Sequence, residues 1–175
     1  MTTPRKIKNL EQRKALRDGP KQRRPWRPSV KEPTPWYPSL PQEYYRWVRV
    51  LLISFELPEN HSIIKNLADN FAVITTQPDD PPAGLLKDDR LKAAHEKLTT
   101  PGRVGVKPEL LPRMVALMLA FAYHDLTGSD LEPGNRGPLQ ALAKVVFKQF
   151  AFKVDAKDVL EKAYKDAIPI LKSQP

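Results

Sequence analysis

The chain has 175 residues, of which 41% are hydrophobic and 28% charged, and its formal net charge is +9 at pH 7. This length predicts a single domain, with enough apolar residues for a compact core. The absence of cysteine excludes disulfides and thiolate metal sites. No apolar run is long enough for a transmembrane helix. The basic N-terminus lacks the apolar core of a secretion signal, and its acidic residues and prolines argue against a mitochondrial presequence.

The net charge is confined to the first 31 residues. This segment contains eleven Lys or Arg and two acidic residues, Glu11 and Asp18, so it carries +9 by itself. Residues 32–175 contain 18 basic and 18 acidic residues and sum to zero. A neutral body with a cationic arm indicates a polyanionic partner such as nucleic acid. A merely solvated or targeting tail is the alternative interpretation.

The predicted arm spans residues 1–41 and begins with a helix near residues 4–18. Thr3 can cap this helix, Pro4 suits its first position and Gly19 suits its C-terminal stop. A helix of this length is marginally stable alone in water. We therefore expect it to form when the arm binds its partner, with a solvated charged helix as the alternative.

A proline-rich strap follows the helix over residues 20–41, where seven prolines exclude a helix or a central strand. Arginine pairs bidentately with phosphate, and Trp26, which lies among three arginines, can pack on a sugar, a base or an apolar neighbour. Trp36 and Tyr37 lie beyond the positive region and are predicted to anchor the arm on protein. The predicted nucleic-acid-binding residues are Arg5, Lys6, Lys8, Arg13, Lys14, Arg17, Lys21, Arg23, Arg24, Trp26, Arg27, Lys31, Arg46 and Arg49.

The body, residues 42–175, is predicted to be all-α, so that the chain forms a helical bundle with an extended basic N-terminal arm containing a helix. The stretch 108–127 is apolar in almost every direction, so we expect it to be buried by the bundle or by neighbouring subunits. Apolar residues at helical spacing predict helices near 40–56, 61–74, 87–98, 108–127, 138–152 and from Asp155 to about 172.

Local signals refine the ends of these helices. Ser39 with Gln42 resembles a capping box, and Asn60 and Asp155 are predicted N-caps. Two prolines fall inside predicted helices, where each should kink, delay or end the helix: Pro112 and Pro169.

No residue pattern supports catalysis or metal binding. The histidines lack the i, i+4 spacing of a helical metal pair, so they are interpreted as surface or hydrogen-bonded side chains. The glycine-containing loop 102–107 lacks the spacing of a phosphate loop. We predict a non-enzyme with no catalytic residues, no metal, no cofactor and no small-molecule substrate. The residues weighed and set aside are His61, His95, His124, Asp79, Asp80, Asp88 and Asp89.

A basic N-terminal helix, a proline-rich extended arm and a helical bundle of this size together resemble the major capsid proteins of filamentous archaeal viruses, the rudivirus and lipothrixvirus group. The resemblance is one of architecture and covers most of the chain. It implies an arm that wraps double-stranded DNA held in A-form, and a bundle that stacks into a helical virion with itself or with a paralogous capsid protein. It also implies a location in the virion, and in the host cytoplasm during assembly. Carried over, the phosphate contacts fall on Lys6, Arg13, Arg17, Arg23, Arg24 and Arg27.

Two other classes of protein fit the same charge pattern. One is a small helical subunit of a ribonucleoprotein complex, such as a CRISPR effector or a ribosome-associated protein, which would prefer RNA or single strands. The other is an adaptor whose arm binds an acidic protein, and such an adaptor would ignore nucleic acid.

Overall fold

The computed structural model describes residues 36–76, 83–100, 110–131 and 137–172. The all-α prediction is confirmed there, since these ranges hold α-helices and a 3-10 turn and include no strand. The predicted arm helix and most of the strap lie outside the described residues. The helices are α1 (Pro41–Ser54), α2 (His61–Thr76), α3 (Asp89–Thr99), α4 (Leu110–Thr127), α5 (Gly137–Gln149) and α6 (Ala156–Lys172), and the 3-10 turn Ala83–Leu85 precedes α3.

Helix α4 is the centre of the bundle. It contacts α2, α3, α5 and α6, most extensively α6. Residues 114–122 of α4 are all buried, which confirms the expectation from their apolar pattern. The bundle itself supplies this burial. Helix α1 packs mainly on α2 and therefore lies at the edge of the bundle.

The two single-residue caps predicted for the body, Asn60 and Asp155, are confirmed, and Thr3 lies outside the described residues. The Oδ1 atom of Asn60 accepts hydrogen bonds from the backbone N–H groups of Ser62 and Ile63, at 3.0 and 3.2 Å. The Oδ1 atom of Asp155 accepts one from the backbone N–H of Lys157, at 2.7 Å. Each cap satisfies donors that the first turn of a helix leaves without an intrahelical acceptor.

The predicted capping box of Ser39 and Gln42 is wrong in its partner. The backbone N–H and the Oγ of Ser39 both donate to Oε2 of Glu43, at 2.9 and 3.0 Å. The N-cap position belongs to Leu40, so the reciprocal side chain lies one residue further along the helix. The two hydrogen bonds from Ser39 lower the pKa of the Glu43 carboxyl.

Helix α5 is terminated by a residue in the left-handed conformation. Ala151 has a φ of 53°, in the left-handed region. The N–H of Phe152 donates to the carbonyl of Phe147 at 3.0 Å, and the N–H of Ala151 donates to that of Lys148 at 3.1 Å. This pair of bonds is a Schellman motif. Helix α1 ends in the same way at Glu56, whose φ is 56°.

The two prolines inside helices lie at different positions, one in the first turn and one in the interior. Pro112 lies in the first turn of α4, where a backbone N–H has no intrahelical acceptor, so the helix loses no bond there. Pro169 lies inside α6, which continues to Lys172. The proline therefore does not end α6, contrary to one of the two outcomes expected for it.

Candidate nucleic-acid interface

Two of the fourteen predicted nucleic-acid-binding residues, Arg46 and Arg49, lie in the described part of the chain. Both side chains are exposed on the outer face of α1, away from its buried face. The other twelve, from Arg5 to Lys31, lie outside the described residues.

Arg46 lines a groove between α1 and α2 with a volume of 380 Å³. The same groove contains Lys65 and Asp69 of α2, so it presents two cations and one carboxylate. Tyr45 and His61 lie beside them, with Oη of Tyr45 and Nδ1 of His61 hydrogen-bonded at 2.6 Å. Two basic side chains within one groove can meet a single phosphate group. Lys65 was not among the predicted site residues.

Arg49 is paired within the body. Its Nε lies 2.5 Å from Oε1 of Glu59, and the two side chains are 51% and 47% exposed. The hydrogen bond and charge of Glu59 raise the pKa of Arg49. An exposed ion pair of this kind contributes little to stability. A phosphate group can therefore replace Glu59 at low cost, and the pairing does not exclude Arg49 from a polyanion interface.

Trp36 and Tyr37, which we call the arm root, are held on the body. The N–H of Trp36 donates to the carbonyl of Gln149 at 3.4 Å, so the arm root satisfies one of the open carbonyl groups at the end of α5. The ring of Trp36 lies edge-on to that of Trp47, with centroids 5.9 Å apart. The ring of Tyr37 lies 5.4 Å from that of Phe150, and burial raises the pKa of Tyr37. The predicted anchoring of the arm on protein is confirmed at these two residues.

The arm root rests on a cluster of core aromatics from three elements of the body. Phe150, at the end of α5, stacks on Phe71 of α2 with centroids 5.6 Å apart, and Trp47 of α1 contacts both rings edge-on. Phe71 and Phe150 are 0% and 1% exposed. Packed aromatic pairs of this kind add to the stabilisation from burial. The arm root therefore lies against this aromatic cluster, with Trp36 and Tyr37 themselves 43% and 38% exposed.

Residues 32–175 are neutral overall, but their charge is divided by segment. Residues 54–100 contain five basic and eight acidic residues, for a net charge of −3. Residues 137–172 contain seven lysines and four acidic residues, for a net charge of +3. Summing the charge over the whole body conceals this division, which a segment-by-segment sum would have found.

Other polar groups of the described residues serve the fold. The Nη1 and Nη2 atoms of Arg90 donate to the two carboxylate oxygens of Asp125, at 2.8 and 2.6 Å. The guanidinium carbon of Arg90 also lies 4.7 Å from the ring centroid of Phe121. Within the described ranges, no group of three or more His, Cys, Asp or Glu is placed to hold a metal ion. No helix in those ranges is long and apolar enough to cross a membrane.

Comparison with known protein families, with characterised proteins and with solved structures gave no match.

Proposed function

We propose that this is a structural nucleic-acid-coating protein, a major capsid protein that wraps double-stranded DNA without sequence preference and polymerises into a helical filament. The observation that carries the proposal is the charge partition: residues 1–31 hold +9, and the remaining chain sums to zero. Cations concentrated in one segment bind a phosphate backbone through electrostatic contacts that carry no sequence information.

The arm root supports a coat rather than a loosely tethered tail. Trp36 and Tyr37 dock on Trp47 and Phe150. A force on the arm is therefore transmitted to the bundle. Arg46 and Lys65 add cations on the surface of the body. The proposed partners are double-stranded DNA and further copies of this chain or a paralogous capsid protein, and the proposed location is the virion.

Electron microscopy of the purified full-length chain mixed with duplex DNA tests this proposal. We expect regular filaments with duplexes of unrelated sequence, because phosphate contacts position a protein without specifying bases. The matched control is single-stranded RNA of equal length. Discrete particles, together with tighter binding to RNA than to duplex DNA, would show a ribonucleoprotein subunit instead. Binding to neither would leave an adaptor for an acidic protein.

A further inference from the structure

We propose that Lys144 and Lys148 of α5 form a phosphate-binding ridge on the body that continues the cationic track of the arm. This inference rests on the proposed function and assigns to the body a part of the contact that the sequence placed on the arm and α1. We call these two residues the α5 ridge.

The lysines of residues 137–172 are exposed, whereas one of the four acids in this range is buried. Asp166 is 5% exposed, and its Oδ2 accepts a hydrogen bond from Nε of Arg113 in α4 at 2.9 Å. This leaves three acids against seven exposed lysines on the surface of residues 137–172. The lysines are Lys144, Lys148, Lys153, Lys157, Lys162, Lys165 and Lys172.

The two lysines of the α5 ridge share one exposed face. They are four residues apart, so they lie one above the other on the helix, about 6 Å apart along its axis. Neither pairs with a carboxylate of the described residues, whereas Arg49, Arg90, Lys92 and Arg113 all do. The charge of the ridge is thus available to a partner from outside the body.

The ridge begins where the arm joins the body. Lys148 directly precedes Gln149, whose carbonyl accepts the N–H of Trp36. Trp36 is thus bonded to the residue that follows Lys148. Lys144 lies one turn before Lys148 and outside the last turn of α5. The negative end of the helix dipole stabilises a cation only within that last turn, so it does not account for Lys144. Charge complementarity and this continuity identify the occupant as the phosphate backbone of the nucleic acid that the arm binds.

The test measures duplex DNA binding by the full-length double variant Lys144→Gln, Lys148→Gln as a function of salt. Two lost phosphate contacts should reduce the slope of log K against log salt by about 1.8 and weaken binding roughly thirtyfold at 0.15 M salt. The matched control is Lys87→Gln with Lys92→Gln, which removes the same charge from the acidic segment. We expect the control to keep the wild-type slope, and Lys144→Arg with Lys148→Arg to keep it as well.

Each other outcome is decisive. Equal slopes for the α5 variant and the wild-type chain, or equal losses in the α5 and control variants, would overturn the α5 ridge while leaving the proposed function intact. An unchanged slope together with lost filaments would make this face a contact between subunits instead. Failure of the wild-type chain to bind duplex DNA would overturn the proposed function and the ridge together.

Discussion

The buried ion pair between Arg113 and Asp166 joins the two helices with the most extensive contact, α4 and α6. The side chains are 13% and 8% exposed, and Lys97 of α3 lies 3.8 Å from the other carboxylate oxygen of Asp166. Three helices therefore meet at one carboxylate. Removing one partner of a buried pair leaves an uncompensated charge in a poorly solvated place, which costs far more than losing an exposed pair.

We predict that Asp166→Asn lowers the free energy of unfolding by about 3 kcal/mol. Asparagine keeps the shape of the side chain but leaves Arg113 without its counter-charge. The control is Glu59→Gln, which removes the exposed partner of Arg49 and should cost much less than Asp166→Asn. Urea unfolding of both variants measures the difference. Equal losses of stability would contradict the conclusion that the buried pair of Arg113 and Asp166 stabilises the fold more than the exposed pair.

At the scale of the helix, an alanine-to-glycine substitution should change the free energy of unfolding in opposite directions at the C-terminal end of α5 and in its interior. We expect Ala151→Gly to raise the free energy of unfolding by about 0.5–1 kcal/mol, because glycine adopts a left-handed φ without the steric cost that alanine bears. Ala141 is exposed in the interior of the same helix. The same substitution there, Ala141→Gly, should lower it by about 1 kcal/mol.

Thermal and urea unfolding of the two glycine variants would test this pair of expectations. Each change removes one methyl group. If both changed the free energy of unfolding in the same direction, the backbone conformation at residue 151 would not control the end of the helix.

The helices were predictable because their apolar residues recur at helical spacing and their caps are local. Asn60 needs only the next three residues to act, so the sequence was sufficient to identify it. Ser39 was paired with Gln42 instead of Glu43 because the choice depends on where the first helical turn begins, and Leu40 takes the N-cap position. The early stop of α5 at Ala151 carries no glycine, and its left-handed conformation had no sequence signal.

The candidate site was predictable only in part. Arg46 and Arg49 were predicted because they fall off the apolar face of α1. Lys65 and the α5 ridge were missed since their grouping depends on which helices adjoin one another and on where the arm root docks. Tertiary contacts such as that between Trp36 and Gln149 join residues far apart in the sequence, and no local pattern encodes them.

At the scale of the whole molecule, the arm and the body should be separable in function. We predict that deleting residues 1–31 leaves a folded helical body, because the core aromatics and α4 lie entirely beyond the deletion. Duplex DNA binding should be largely lost, with the salt slope falling from roughly −5 to −9 for about six to ten phosphate contacts to about −2 or smaller in magnitude.

Circular dichroism and a salt titration of DNA binding measure the two parts of this prediction. The full-length chain under identical conditions is the control. A truncated chain that binds with the wild-type slope would show that the body carries the contacts and would contradict the role of the arm.

The docking of Trp36 on the body also limits how far Lys31 can lie from it. Trp36 on the body is the fifth residue after Lys31, the last cation of the arm. A fully extended chain of that length spans about 17 Å. For a chain bound through its arm, the bundle is thus confined within that reach of its last phosphate contact, and two bundles cannot share the space. The width of the body would then set the distance between neighbouring subunits. An even spacing of subunits along a duplex would therefore need no repeat in the DNA sequence.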